Sequence, residues 1–316
     1  MKIILKTAVA ALGMAAMATG AFAADWTPPG PIKLMIAFGA GGGADTQARL
    51  IAEELEDRTG WKFIPEQVTG KGGLNLAVAL KDQPNDGTAI GMAVTETLGY
   101  NMAAANAGIS PADFTGITTT AGFQMGIVSL TTKGWTTFAD VVAAAKGGEQ
   151  IKFGVMSPKL ADLAYLVGKA QGVEFNIVSV KGGKAVMNGV NAGDLDLGFM
   201  AGIQGKGVAA GDLVNLASGL SVPLVQTPDA PTLADLGVPF NGDGYFVFIG
   251  PAGMPAEART ALADAISSIA SDESTKAGGL IKKAFGGSAT IKGAELDALL
   301  ADGFSGAGEL IKVASE

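Results

Sequence analysis

The sequence predicts an α/β protein of two lobes, each a mostly parallel sheet flanked by helices. Three observations carry this expectation. Short apolar strands alternate with helically spaced segments from Pro31; the alternation restarts at Ile151; and a strand-like stretch at Tyr245 leads into a helical tail. Alternating strands and helices give right-handed crossovers in a parallel sheet. A chain that leaves one unit and later returns to it is what a hinged pair of lobes requires. The expected boundaries are 24–121 with 245–316 for the first lobe and 122–244 for the second. The hinge crossovers are expected near 120–130 and 240–250.

In the first unit, Ile32 to Phe38 reads as a strand. Asp45 to Arg58 reads as a helix, with Ala48, Ile51, Ala52 and Leu55 on one face. Trp61 to Gln67 is the second strand, and Gly73 to Lys81 a helix behind Gly70-Lys71-Gly72. The turn at Asp86-Gly87 precedes a buried strand from Thr88 to Val94. In the second unit, Ile151 to Val155 is a strand. Ser157-Pro158 then starts a helix, a hydroxyl cap followed by proline at the first helical position, and that helix ends near Gly172. Asn176 to Val180 follows as a strand, Lys181-Gly182-Gly183 opens a short helix closed by Gly193, and Asp194 to Met200 is the next strand. Gly122 to Thr131 and Tyr245 to Gly250 are strand-like and carry the chain between lobes; the tail from Pro255 is expected to pack back on the first lobe.

Residues 1–23 read as a secretory signal rather than as part of the fold. Lys2 and Lys6 precede an apolar stretch from Ala8 to Ala21, and Ala21-Phe22-Ala23 places cleavage after Ala23. A membrane anchor competes with this reading. The stretch is short and rich in Ala and Gly, however, and the polar, proline-containing run from Asp25 to Pro29 follows at once, so cleavage and export are preferred.

The chain of 316 residues contains no histidine and no cysteine. That removes Ser-His-Asp and Cys-His catalysis and the Cys/His zinc sites. A formal net charge of −8 argues against nucleic acid as a partner, since phosphate binding leans on basic surface. No cofactor and no metal are expected.

The most informative segment runs from Ile36 to Asp45, a strand entering glycines and then a helix whose first turn carries Asp45. Glycines let the backbone curl and present N–H groups at the positive helix end, an anion site without a cationic side chain. Gly41 and Gly42 are expected to need backbone angles or close approach that a Cβ would obstruct. Asp45 is placed to cap its helix and pair with Arg49. Two other readings stand beside this one. Gly39-x-Gly41-x-x-Ala44, with Glu66 near the end of the next strand, formally fits a dinucleotide fingerprint; a plain packing turn is the other.

The order from Pro31 to Arg49, Pro-Ile-Lys-Leu-Met-Ile-Ala-Phe-Gly-Ala-Gly-Gly-Gly-Ala-Asp-Thr-Gln-Ala-Arg, resembles the opening of the Bug-type receptors, the TctC-like periplasmic proteins of tripartite tricarboxylate transporters. Later stretches fit the same family in order. They are Gly70-Lys71-Gly72-Gly73, Asp86-Gly87-Thr88, Val180-Lys181-Gly182-Gly183, Gly193-Asp194-Leu195-Asp196, Asp229 to Gly237, and Gly250 to Pro255. The chain departs from the pattern at Ala37 and Ala40, where prolines are usual, at Gly154-Val155-Met156-Ser157, which lacks an expected hydroxyl, and at Val180, where tyrosine is usual.

The resemblance implies a type II periplasmic binding protein of the Venus-flytrap kind. It would be a monomer that captures a small organic anion, a di- or tricarboxylate or an aromatic acid, and passes it to membrane permease subunits. It implies that the carboxylate is held by main-chain groups and helix N-termini. The residues singled out are Phe38, Gly39, Ala40, Gly41, Gly42, Gly43 and Asp45 in one turn, and Lys181, Gly182 and Gly183 in a facing turn. Thr95, Thr97, Thr119, Ser157 and Phe199 join them, while Met200 is expected in the core. Lys181 is either a ligand contact or a solvated turn lysine. Glu96 is expected to be solvated, because a carboxylate beside an anion site raises the cost of binding. Two other outputs compete with transport: a ligand-loaded sensor for a membrane signalling partner, and an exported hydrolase using Ser129, Ser157 or Ser179 with a lysine.

Overall fold

The computed structural model describes residues 26–316, so the expected signal and its cleavage after Ala23 lie outside the described residues. The chain runs β1 (Ile32–Ile36), α1 (Gly43–Thr59), β2 (Phe63–Gln67), α2 (Leu74–Lys81), β3 (Ala89–Val94), α3 (Met102–Ala105) and β4 (Phe114–Gly122). It continues through β5 (Met125–Leu130), α4 (Phe138–Lys146), β6 (Lys152–Val155), α5 (Pro158–Gln171), β7 (Asn176–Ser179), α6 (Gly183–Ala192), β8 (Leu197–Ala201), α7 (Gly205–Ala210) and β9 (Leu213–Ser218). It closes with β10 (Tyr245–Pro251), α8 (Ala256–Ser271), α9 (Lys276–Phe285), α10 (Gly293–Ser305) and α11 (Gly308–Ser315).

The strands form two five-stranded sheets, ordered β2-β1-β3-β10-β4 and β7-β6-β8-β5-β9. In each sheet one strand, β10 or β5, runs antiparallel to both its neighbours, and the other four share a direction. The two lobes therefore have one plan, two mostly parallel sheets flanked by helices. Each odd strand is the one delivered from the opposite lobe.

The side chains explain why the sheets are covered on both faces. β3 is buried at every position, the pattern of a strand between helical layers. Ile32, Leu34 and Ile36 of β1 pack in one cluster with Ile51 and Leu55 of α1, while Met35 and Ala37 pack in another with Leu76 and Leu80 of α2. In the second lobe Phe153 and Phe199 meet Leu163 and Val167 of α5, and the opposite face carries Val128 and Met200 against Val186 and Val190 of α6. Each fully buried Leu, Ile or Phe contributes about 1.5–3 kcal/mol, so these layers fix the lobes. α5 starts and stops as its sequence dictates. Ser157 Oγ accepts the N–H of Leu160 at 3.3 Å, Pro158 takes the first turn, and Gly172 ends the helix at φ +66°.

Some elements differ from the sequence expectation. α1 begins at Gly43, earlier than Asp45, and β1 stops at Ile36 because Ala37 and Phe38 already bend into the glycine turn. β4 reads as polar, yet Thr118, Thr119 and Thr120 are fully buried within it. Each hydroxyl has a partner: Thr118 with Ser267 at 3.0 Å, Thr119 with the Ala289 carbonyl at 2.5 Å and Thr120 with Gln47 at 2.8 Å. The last helix, α11, packs against α5 of the second lobe as well as α3.

Replacing Ile51 by Ala should leave a cavity between α1 and β1, because the side chain is 1% exposed. The expected loss of stability is about 3 kcal/mol, read as a lower urea midpoint with an unchanged slope.

Candidate functional site

The carboxyl ends of the strands of both sheets point at one cavity. Phe38, Gly39, Gly42, Gly43 and Ala44 after β1 line it, as do Val94 and Glu96 at the end of β3. The second lobe supplies Met156, Ser157 and Leu160 after β6, Gly183 at the start of α6, and Ala201 and Ile203 at the end of β8. Phe123, Met125 and Phe246 close the side where the chain crosses between lobes. There Phe123 N–H donates to the Gly244 carbonyl at 2.9 Å, and the Phe123 and Phe246 rings meet edge to face at 5.2 Å. The space between the lobes, its open mouth included, is about 560 Å3. A crevice outside the carboxyl strand ends is where open α/β sheets bind ligands.

Three helices start at this cavity. α1 begins behind Gly42, α5 behind Ser157 and α6 behind Gly182. In α1 the Thr46 N–H is the first to find an intrahelical carbonyl, that of Gly42, which leaves the N–H groups of Gly43, Ala44 and Asp45 without one. The turn before α1 is held from below. The Asp45 carboxylate, 3% exposed, accepts the Gly41 N–H at 2.8 Å and pairs with Arg49 at 2.8 Å; it also accepts from the Gln67 side chain. Gly41 sits at φ +73°, a left-handed conformation that a side chain resists. Gly42 is ordinary extended backbone at φ −79°, so only space restricts it: an added Cβ would lie 3.1 Å from the Gly39 carbonyl oxygen.

The two glycine turns face each other across the lobes. A Cβ on Gly39 would lie 3.0 Å from the Lys181 carbonyl oxygen, and one on Gly182 would lie 3.4 Å from Phe38 Cβ. Two side-chain links join the lobes nearby. The Lys159 N–H donates to Asn101 Oδ1 at 3.3 Å, and the Tyr100 hydroxyl donates to the Asp162 carboxylate. Burial raises the Tyr100 pKa, helped by the charges of Asp162 and Glu96. Burial likewise raises the pKa of Asp162 against the opposing effect of the Tyr100 hydrogen bond.

The residues expected from sequence divide into two groups. Phe38, Gly39, Gly42, Gly43, Ser157 and Gly183 share the cavity. The others do not line it. Gly41 faces a neighbouring groove toward α7 and α9. Lys181 and Gly182 border a further groove, with Lys181 exposed, so this turn reaches the first lobe through its backbone. Ala40 is exposed and Asp45 is occupied within its own turn. Thr95 accepts the Tyr245 N–H at 3.0 Å beside the crossover. Thr97 is turned away, its hydroxyl on the Gly72 carbonyl at 2.7 Å. Thr119 is pinned within β4, and Phe199 packs on Phe153 at 5.1 Å in the core. Glu96 corrects the expectation of a solvated side chain: it is 7% exposed and lines the cavity. Phe123, Met125, Met156, Leu160, Ile203 and Phe246 were not expected from sequence. The available signal was their position, directly after a strand or at the crossover.

Two α/β lobes closed over a cavity at their strand ends define a two-lobe binding protein. The chain matches the family described as tripartite tricarboxylate transporter family receptor over residues 47–312 and belongs to it. That family consists of substrate-binding receptors, not enzymes. Over 266 residues the chain is 26% identical to the UPF0065 protein in the gbd 5′ region of Cupriavidus necator, covering 83% of this chain and 80% of that protein. Its fold is similar to the periplasmic binding protein BugD, with a TM-score of 0.79 at 19% identity over 92% of this chain and 99% of the other. It is also similar to MatC from Rhodopseudomonas palustris with bound malate, with a TM-score of 0.77 at 18% identity over 90% of this chain and 100% of the other. Among the described residues no helix is long and apolar enough to cross a membrane, and no group of His, Cys, Asp or Glu is placed to hold a metal ion.

Two variants test the contacts between lobes. Gly39→Val should obstruct closure against the Lys181 carbonyl, weakening ligand binding by roughly fivefold or more, as overpacking of about 1–3 kcal/mol implies. The melting temperature without ligand should barely change. Tyr100→Phe removes one link at a partly exposed carboxylate, so the loss is about 1 kcal/mol. Stopped-flow release should quicken roughly fivefold.

Proposed function

We propose that this receptor captures a small carboxylate in the periplasm and hands it to the membrane subunits of a tripartite transporter. The observation that carries the reading is the convergence of three helix starts on one interlobe cavity that, among the described residues, no lysine or arginine side chain lines. Helix N-termini favour negative charge, each by about 0.3–1 kcal/mol or more where water is excluded. The main-chain N–H groups of Gly43 and Ala44, with Gly183 from the facing lobe, are the donors of this reading. Phe38, Phe123, Leu160 and Phe246 hold the apolar part of the solute. The malate bound by the similar MatC is a solute of this chemical class.

In this proposal residues 1–23 direct export and are removed after Ala23, and the mature protein works as a monomer. Segments 24–121 with 245–316 and 122–244 move as two bodies about the crossovers near 120–130 and 240–250. Hinge closure of this kind excludes water from the solute and strengthens the grip of the helix starts.

A thermal-shift screen of small organic acids, malate included, tests the reading on the mature chain. A bound acid at about 100 times its Kd adds about 2.7 kcal/mol and should raise the melting temperature by roughly 5 °C. Small-angle scattering with that acid should show a smaller radius of gyration. A screen in which no acid raises the melting temperature rejects a carboxylate as the solute.

A further inference from the structure

Among the described residues Glu96 is the one charged side chain that lines the cavity, and it is 7% exposed. It follows β3 directly, so the strand end delivers it to the site. Its Oε1 accepts a hydrogen bond from Asn101 Nδ2 at 3.1 Å, and Asn101 is itself fixed by the Gly72 carbonyl at 3.1 Å and the Lys159 N–H at 3.3 Å. Among the described residues no lysine or arginine nitrogen lies within 4.0 Å of the Glu96 carboxylate. Lys159 borders the adjoining cavity that Glu96 also lines, but it makes no ion pair with it. The Tyr100 hydroxyl, on the same segment after β3, is committed to Asp162.

A buried carboxylate with one hydrogen bond and no counter-ion is costly, and folded chains keep such a group where a partner arrives to meet it. A plain dicarboxylate is a poor partner, since it would set a second negative charge against Glu96 with no cationic side chain lining the cavity. We propose that Glu96 is a specificity-determining residue that pairs with a protonated amine of the solute. The receptor then selects amino-carboxylate zwitterions over plain carboxylates. The solute carboxylate meets the helix starts behind Gly42 and Gly182, its amine meets Glu96, and its apolar body lies among Phe38, Phe123 and Phe246. This inference rests on the carboxylate reading given above and narrows its solute class.

The test is calorimetry on the mature chain at neutral pH with matched probes. Each protein amino acid is compared with the carboxylate lacking its amine and with the amine lacking its carboxylate. The expected result is an amino acid that binds at least tenfold more tightly than its deaminated acid. Glu96→Gln should collapse that ratio to within about threefold, weakening the amino acid and leaving the plain acid equal or tighter. Glu96→Asp should retain part of the preference, and circular dichroism checks that both variants fold. The proposal is overturned if plain acids bind the unaltered protein as tightly as the amino acids do, if no amino acid binds, or if Glu96→Gln leaves the ratio unchanged. Amines binding as well as the amino acids would instead remove the carboxylate reading and leave the pairing at Glu96 standing.

Discussion

The site depends on how closely two stretches of backbone approach. Gly39 of the first lobe sits against the Lys181 carbonyl of the second, and Gly182 sits against Phe38. A side chain at Gly39 would crowd the Lys181 carbonyl, and Gly182 is held to glycine by its left-handed φ of +101°, so the two turns meet closely along one side of the cavity. Their meeting brings the starts of α1 and α6 to the same empty space. It also sets what the walls are made of: peptide groups where the lobes touch, and apolar side chains such as Met156 and Leu160 elsewhere.

The charged side chains are placed to support this arrangement rather than to line it. Arg49 is held by Asp45, Arg58 by Glu54 and Asp272, and Arg259 by Asp297. All three arginines are thus occupied outside the cavity. Asp45 is the informative case. An acid in the first turn of a helix usually offsets the helix dipole. Here it also ties the Gly41 N–H, Arg49 and Gln67 together beneath the turn whose next residues, Gly43 and Ala44, line the cavity.

The parts of the fold legible in the sequence are those set by local chemistry. Ser157-Pro158 at one end and Gly172 at the other define α5 because capping, proline and left-handed glycine act within a turn or two. The run of glycines after β1 is legible for the same reason. β4 was not read, because three consecutive threonines look solvent-facing until their distant partners Ser267, Ala289 and Gln47 are in place. Thr97 misled because the chain after β3 turns at once into a short π-type segment, Thr97–Asn101, which swings its hydroxyl inward to Gly72. Glu96 misled because a carboxylate is usually solvated, and its hydrogen bond comes from Asn101, five residues further on. Phe199 and Met200 are both buried because β8 is covered on both faces, so alternation gave no sign that both belong to the core and that Ala201 lines the cavity.

The exchange of strands between the lobes bears on how the chain assembles. All five strands of the second sheet come from one contiguous stretch, β5 to β9. The first sheet has a gap between β3 and β4 that only β10 fills, pairing Phe246 with Val94 and with Ala121. Until residues near 245 are available, the apolar β3 and the threonine-rich β4 are two open edges, and unpaired edges invite wrong partners. The second lobe is therefore able to condense alone, while the first waits for the longest loop in the protein to close. A chain that folds from its N-terminal end has its first lobe incomplete until β10 arrives. It becomes a closed pair of sheets only once the second lobe has brought the chain back.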